Sequence, residues 1–277
     1  MSNSTARIAV VAMLFLAACE PGAVEWQGEL ARHPAPPDSV LASLGFDASG
    51  KLASAAADVT PPVDYQGRAC AATVRFGVAR DRLGRELTAA AWWSLRPDSS
   101  VWLVAALSPN RGATWSPAAP VDTVDTGTRG CARPAPAVAI DPKSGYVHVA
   151  YWLEAPEGPG VFFSHSMDEG ATYHAPIPIV YGNRPSAVAI DASGDSLAVA
   201  YEDPNSASPA IGLALSRTQG HLFERKGIVA SPRGARAERP LVGLQGSTLL
   251  VGWIEPGEGA GDVVVRRGSV KQLEQGG

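Results

Sequence analysis

Apolar and polar residues alternate in short runs along this chain, and the runs return in the same order. In each repeat an Arg-Pro pair precedes a short apolar strand, a tight turn follows, and a second apolar strand ends in an aromatic residue. The Arg-Pro pairs begin at Arg133, Arg184 and Arg239, so the period is 51 and then 55 residues. No long run has the period of a helix. Each repeat therefore predicts four antiparallel strands.

A second motif marks the turn between the third and fourth strands of a repeat. It reads Ser-x-Asp-x-Gly-x-Thr-aromatic and occupies residues 108–115 and 166–173, with a decayed copy at 216–223. The Asp or Asn side chain can accept backbone N–H groups, Gly supplies a positive φ, and Thr adds a hydroxyl bond. We expect a compact, internally hydrogen-bonded turn at each place and call these segments the box turns.

Four-stranded units at this spacing predict an all-β fold, a β-propeller of antiparallel blades. An earlier repeat starts near Arg68, which makes four clear repeats, and residues 39–57 echo a degraded fifth. A propeller ring closes when an N-terminal strand completes the last blade, because closure removes exposed sheet edges. We assign part of residues 39–66 to this role, within a propeller domain at 39–277.

The box turns and the Arg-Pro strand starts resemble the BNR, or Asp-box, repeats of sialidase-like β-propellers. The resemblance covers about residues 67–268. Because such boxes occur in sialidases, in other glycosidases and in propellers without catalysis, they specify the fold better than the reaction. For a sialidase the resemblance implies an arginine triad on the substrate carboxylate, a Tyr-Glu nucleophilic pair and an Asp acid/base.

The N-terminus reads as an export signal. Arg7 precedes an apolar run at 8–18, which is too short to span a bilayer but has the length of a signal-peptide core. The run ends in Leu-Ala-Ala-Cys19, which resembles the lipobox of bacterial lipoproteins and implies cleavage after residue 18 and lipidation of Cys19. An ordinary secretion signal with an incidental Cys19 is the alternative. Glu20, where Asp would signal inner-membrane retention, implies the outer membrane of the cell envelope.

The segment after the signal is expected to be a tether. Residues 19–38 contain Pro34, Pro36 and Pro37 and lack strand periodicity, which is typical of an extended linker between a membrane and a domain.

Composition excludes several classes of partner. The formal net charge is −4, and loss of Arg7 with the signal makes it one unit more negative. No Lys/Arg run suggests nucleic acid, and no second apolar stretch is long enough to cross a membrane. The 29 Gly and 23 Pro residues divide the chain into short pieces, which favours strands over helices.

Two further cysteines occupy matching places in consecutive repeats, in Arg-Ala-Cys70-Ala and Arg-Gly-Cys131-Ala. Adjacent strands could bring Cys70 and Cys131 together, and an oxidising envelope favours a structural disulfide, with two free thiols as the alternative. The five His residues show no metal-ligand spacing, so we predict neither a metal site nor a cofactor.

The direction of the strands predicts which residues share a face. If the first strand of each blade runs from an upper to a lower face, the Arg starts and the ends of the second strands meet at the upper face, opposite the box turns. A ring of guanidinium groups could hold a carboxylate bidentately, and aromatics could stack on a sugar, which suits an acidic glycan. The candidate ligand-binding set is Arg133, Arg184, Arg239, Trp152, Glu154, Tyr201, Asp203, Trp253 and Glu255.

The alternative interpretation of the arginines is structural, and we favour it. They recur once per repeat, as a structural element does, so each could pair with a strand-end acid and pin one blade to the next. Tyr201 and Glu202 are adjacent, but neighbouring strand residues point to opposite faces, so they do not form a nucleophilic pair. We therefore expect a lipid-anchored envelope module that binds or scaffolds a glycan or a protein. The alternatives are a sialidase-like glycoside hydrolase and an assembly factor for an envelope complex.

Overall fold

The computed structural model describes residues 23–37, 40, 44–47, 49–54, 65–232, 234 and 236–270. The predicted signal peptide at 1–18 and the lipidation site at Cys19 lie outside this part of the chain. Among the described residues, no helix is long and apolar enough to cross a membrane.

The described residues form nineteen strands and one short 3-10 helix, Ala71–Thr73. In chain order the strands are β1 Val24–Pro34, β2 Leu44–Phe46, β3 Leu52–Ser54, β4 Arg68–Ala69, β5 Arg75–Arg80, β6 Glu86–Leu95, β7 Val101–Ser108, β8 Ala119–Asp122, β9 Ala137–Ile140, β10 Val147–Ala155, β11 Gly158–Ser166, β12 Ile177–Tyr181, β13 Val188–Ser193, β14 Ser196–Glu202, β15 Ile211–Ser216, β16 Arg225–Val229, β17 Glu238–Gln245, β18 Thr248–Glu255 and β19 Asp262–Val270.

The strands form four antiparallel blades, as the repeats predict. Blade 1 is β5-β6-β7-β8, with β4 pairing beside β5 on β6; blade 2 is β9 to β12; blade 3 is β13 to β16; and blade 4 is β17-β18-β19-β1. The first strands β5, β9, β13 and β17 lie beside one another in that order. This arrangement confirms the predicted all-β propeller with four-stranded blades.

Blade 4 is completed by the N-terminal strand β1, which pairs antiparallel with β19 from Val24 opposite Val270 to Pro34 opposite Asp262. The prediction of a tether is therefore wrong over Val24–Pro34. The N-terminal strand that completes the last blade lies before residues 39–66, the segment to which we assigned that role. The strand escaped prediction because it lies at the outer edge of the blade, where an alternating apolar face is not required. A proline is also tolerated at the end of an edge strand.

The segment after β1 contributes a small hairpin. Strands β2 and β3 pair with each other, and the ring of Phe46 lies over Gly243 of β17, where an added Cβ would stand 3.0 Å from the Phe46 Cβ. In the described part of 39–57, the echo of a fifth repeat thus corresponds to a two-stranded hairpin against blade 4.

The hydrophobic core lies in the seams between blades. One buried cluster joins blades 1 and 2, a second joins blades 2 and 3, and a third joins blades 3 and 4. Two aspartates add the same polar link across successive seams. Asp141 accepts a hydrogen bond from the Gly194 amide, and Asp191 accepts one from the Leu244 amide, each at 2.7 Å. The predicted disulfide joins Cys70, just before the 3-10 helix, to Cys131, in the loop that leads into blade 2.

The box turns have the predicted internal hydrogen bonds. In the second, Asp168 accepts bonds from the Thr172 amide at 2.9 Å and the Thr172 hydroxyl at 2.6 Å, while the Ser166 hydroxyl accepts from the Gly170 amide. These bonds, the hydroxyl bond first, lower the pKa of Asp168 to about 2. Gly170 has a φ of +82°, as the turn requires. In the decayed third turn Thr218 replaces the aspartate, and its Oγ1 accepts from the Leu222 amide.

Candidate functional site

Arg133 stands at the predicted upper face, but its side chain is buried. Its guanidinium forms an ion pair with Asp125, donates a hydrogen bond from Nε to the Gly130 carbonyl at 2.7 Å, and lies 4.8 Å above the centre of the Trp93 ring. The side chains of Arg133 and Asp125 are 0% and 2% exposed. A ligand carboxylate therefore has no access to this guanidinium.

Arg184 is also held by its own chain. One terminal nitrogen donates to the main-chain carbonyl of Asp203, and the other donates to the Ser206 carbonyl at 3.1 Å. The carboxylate of Asp203 instead caps its own loop, where it accepts bonds from the Asn205 amide and the Ser206 hydroxyl. Arg184 thus fixes the loop that follows β14 through carbonyl groups, and not through the acid that the repeat pattern suggested.

Arg239 differs from the other two. It lies within β17, exposed, with an unusual φ of +51°, and its backbone amide donates to Oε1 of Glu202 at 2.8 Å. Burial raises the pKa of Glu202. This contact links blade 3 to blade 4, but through the main chain of Arg239.

The two remaining strand-end acids pair with arginines outside the predicted set. Glu154 is 3.3 Å from Nε of Arg129, and Glu255 accepts a hydrogen bond at 2.6 Å from Arg32 of β1. Arg32 also reaches Asp262 at 3.0 Å, so it ties the closing strand to blade 4. The predicted pairing of acids with arginines at this face is therefore present, with different arginines at Glu154 and Glu255.

The three aromatic residues of the predicted set are core residues. Trp152, Tyr201 and Trp253 are no more than 2% exposed. The indole of Trp152 donates to the Gly182 carbonyl, and that of Trp253 donates to Glu255. Burial raises the pKa of Tyr201 to about 12. Since their faces are covered by protein, these rings cannot stack on a sugar, and this part of the ligand-binding prediction is wrong.

A tyrosine–carboxylate pair does exist, at the seam between blades 1 and 2. The hydroxyl of Tyr151 donates to Asp122 at 2.7 Å, and both side chains are buried. Burial raises the pKa of both groups. The chemistry resembles a phenol nucleophile beside a base, but a sugar cannot reach it, so the pair acts as a polar link across the seam.

A different cluster appears at the opposite face, where the box turns lie. His165 at the end of β11, His174 just after the second box turn and His221 within the third bring their imidazoles together. His165 is buried, and its pKa is lowered to about 4 by burial first and by the two neighbouring imidazoles second. The three rings border a cavity of about 440 Å³.

Sequence reasoning missed this cluster because its members come from two blades. His174 and His221 stand 47 residues apart, with no short motif between them. The available signal was their position: His174 directly follows one box turn and His221 lies within the next, and box turns of neighbouring blades share one face of a propeller. The expectation that the chain offers no metal ligands rested on linear spacing alone, whereas the structure brings together three imidazoles that could hold a metal ion.

Comparisons with known proteins agree with the fold. No protein-family model and no curated protein matches this chain. The α-L-arabinanase of Penicillium chrysogenum, solved with arabinobiose, has a TM-score of 0.50 at 17% identity, over 76% of this chain and 66% of that one. Hadza microbial sialidase Hz136 has a TM-score of 0.45 at 17% identity, over 69% of this chain and 43% of that one.

The NanB sialidase of Streptococcus pneumoniae has a TM-score of 0.45 at 9% identity, over 77% of this chain and 51% of that one. This chain thus spans about half the length of the sialidases it matches. At such identities a likeness concerns the fold alone, and the arabinanase, whose TM-score reaches 0.50, agrees with the β-propeller that the strands of this chain form.

Proposed function

We propose that this protein is a lipid-anchored module of the cell envelope that binds or scaffolds a glycan or an envelope protein, without hydrolysing it. The observation that carries the proposal is the use of the upper-face arginines within the chain. Arg133 is paired and buried, and Arg184 is bonded to two main-chain carbonyls. A triad that grips a substrate carboxylate needs guanidinium groups with free donors at an open surface.

The second support comes from the groups that would carry a hydrolytic reaction. A retaining glycosidase needs a nucleophile and an acid/base that both reach the sugar. Tyr151 and Asp122 are sealed in the seam, and Tyr201 is buried. The internal bonds of the box turns agree with the BNR resemblance, which is compatible with propellers that only bind.

The hydrolase alternative has a direct test. The purified full chain would be incubated with chromogenic sialosides and arabinosides, beside an active sialidase and an active arabinanase as positive controls. A binding module forms no product above the uncatalysed rate. Product that accumulates in proportion to the amount of this protein, and that survives repurification, would contradict the proposal.

The anchor is tested separately, because the fold does not depend on it. Cys19→Ser removes the thiol that would carry the lipid, so the protein should leave the membrane fraction. Glu20→Asp keeps the thiol and should move the protein from the outer to the inner membrane. Membrane fractionation that is identical for the parent and both variants would contradict the lipoprotein assignment.

A further inference from the structure

We propose that His165, His174 and His221 form a binding site for a divalent transition-metal ion. The ion would join blade 2 to blade 3 and would keep one coordination position open toward the adjoining cavity.

The first support is the distance between the ligand atoms. One imidazole nitrogen from each residue lies within 4.8 Å of the other two. The ring of His165 is centred 4.5 Å from that of His174 and 4.7 Å from that of His221. Nitrogens bound to zinc at about 2.0 Å in a tetrahedron lie roughly 3.3 Å apart. Small rotations of the two exposed rings would close that difference.

The second support is that the backbone already holds the ligands in place. The His174 amide donates to the His165 carbonyl at 2.9 Å, and the Ser164 hydroxyl donates to the His174 carbonyl at 2.6 Å. The His221 amide donates to the Thr218 carbonyl at 3.1 Å within the third box turn.

Gly220 lets that third box turn approach blade 2. An added Cβ there would collide with the ring of Phe163 and would lie 3.3 Å from Nδ1 of His165. The absence of a side chain at this residue is what allows His221 to reach a ligand pair that belongs to another blade.

The third support is a buried polar group without a partner. His165 is 1% exposed, and within the described residues neither of its ring nitrogens has a hydrogen-bond partner. Leaving a buried polar group unsatisfied costs about 1–3 kcal/mol, so such groups call for an explanation. A metal ion bound to one ring nitrogen would provide that missing interaction. His148 of β10 stands directly opposite His165, with the two rings 5.9 Å apart.

The donor set indicates the class of metal. Imidazole nitrogens suit Zn²⁺, Cu²⁺, Ni²⁺ and iron, whereas Ca²⁺ and Mg²⁺ take oxygen ligands. Structural zinc sites are closed by four protein ligands, while three protein ligands leave a position for water or a small molecule. The cavity beside the three histidines, lined also by Phe163, Ser164 and Ile177, provides room for that fourth ligand.

The experiment titrates Zn²⁺ into the untagged, chelator-treated full chain by calorimetry. We expect one Zn²⁺ per chain. His174→Ala and His221→Ala should each weaken binding by roughly tenfold or more, since even the loss of an outer-shell partner has effects of that size. Both residues are exposed, so the variants should fold. His33→Ala, at an exposed position of β1, is the matched control and should bind as the parent does.

Two further readouts test the bridge and the open position. Zn²⁺ should raise the melting temperature of the parent above its value in chelator, and His221→Ala, which removes the blade 3 ligand, should lose that increase. Azide added to the Co²⁺-loaded chain should change its visible spectrum, because the ligand at the fourth coordination position can be exchanged.

The proposal is overturned if the parent binds no Zn²⁺, or if a His174→Ala/His221→Ala double variant binds Zn²⁺ as the parent does. A spectrum unchanged by azide would overturn the open position.

Discussion

Arg133 and Asp125 form an ion pair whose side chains are both almost completely shielded from solvent. Both residues belong to the chain segment that leads into blade 2, and the Arg133 guanidinium lies over the ring of Trp93 in blade 1. Arg133, which the sequence pattern suggested as a ligand-binding residue, is thus part of the packing between blades 1 and 2. This ion pair gives Arg133 a structural role that needs no substrate.

The stability of blade 2 should depend on this pair. Arg133→Ala leaves a buried carboxylate without its partner, so we expect the free energy of unfolding to fall by about 3–5 kcal/mol. The control is Arg236→Ala, which removes an exposed ion pair with Glu238 and should cost less than about 1 kcal/mol. Denaturant unfolding measures both. A loss for the Arg133→Ala/Asp125→Ala double variant equal to the sum of the single losses would show that the two side chains do not interact.

The disulfide should contribute substantially to stability. The bond between Cys70 and Cys131 closes a loop across the seam between blades 1 and 2, with a sequence separation of 61 residues. The loop-entropy model gives about 4 kcal/mol for a loop of this length. Denaturant unfolding of Cys70→Ser/Cys131→Ser should show that loss, and the oxidised parent should show it on reduction. Thiol reagents that label Cys70 and Cys131 in the denatured, unreduced parent would contradict the bond.

The partly buried carboxyl of Asp191 should make stability depend on pH. Burial raises its pKa from 3.8 to about 6, although it accepts a hydrogen bond from the Leu244 amide. A folded-state pKa above the unfolded value contributes stability that is full below about pH 4 and is lost as the pH rises through about 6. The contribution is on the order of 2–3 kcal/mol.

Asp191→Asn isolates this effect, because the amide oxygen can still accept the bond from Leu244. Other groups titrate in the same range, so the quantity to compare is the difference in unfolding free energy between parent and variant from pH 4 to 7. We expect the parent to lose stability relative to the variant across this range. The exposed Asp195→Asn variant should follow the parent. If the difference in unfolding free energy between the parent and Asp191→Asn stayed constant from pH 4 to 7, the raised pKa of Asp191 would be refuted.

Two box-turn glycines separate the cost of backbone strain from the cost of crowding. Gly170 and Gly220 have φ values of +82° and +88°. An added Cβ at Gly170 meets nothing closer than 3.6 Å, whereas at Gly220 it collides with Phe163. Gly170→Ala should therefore cost about 1–2 kcal/mol, and Gly220→Ala roughly 1–3 kcal/mol more. Unfolding in the presence of chelator removes any contribution from metal. If both variants lost the same free energy of unfolding, this would show that Phe163 moves aside in Gly220→Ala.

The sequence predicts the parts of this molecule that repeat. The apolar runs, the Gly of each box turn and the matched positions of Cys70 and Cys131 are local signals with a physical cause, and the structure confirms what they predict. Strand β1 could not be predicted in this way, because it is an edge strand whose partner, β19, lies more than two hundred residues away.

The site was less accessible to sequence reasoning. A repeat pattern shows that Arg133 recurs, but not that Asp125, in an irregular loop, satisfies it. Similarly, His165 and His221 become neighbours only when two blades pack together. Residues that contact each other between two blades have no fixed separation in the sequence. Their partners are known only once the packing of the propeller is known.

The measurement that tests the central claim most directly is the melting temperature of Arg184→Ala beside that of the parent. The claim is that the side chains of Arg133 and Arg184 hold the propeller together and do not bind a substrate. Removing the charged donors to Asp203 and Ser206 should cost about 2 kcal/mol and lower the melting temperature by roughly 4–8 °C, with Arg236→Ala close to the parent. An unchanged melting temperature in Arg184→Ala, together with loss of sialoside binding or hydrolysis that the parent possesses, would contradict the account.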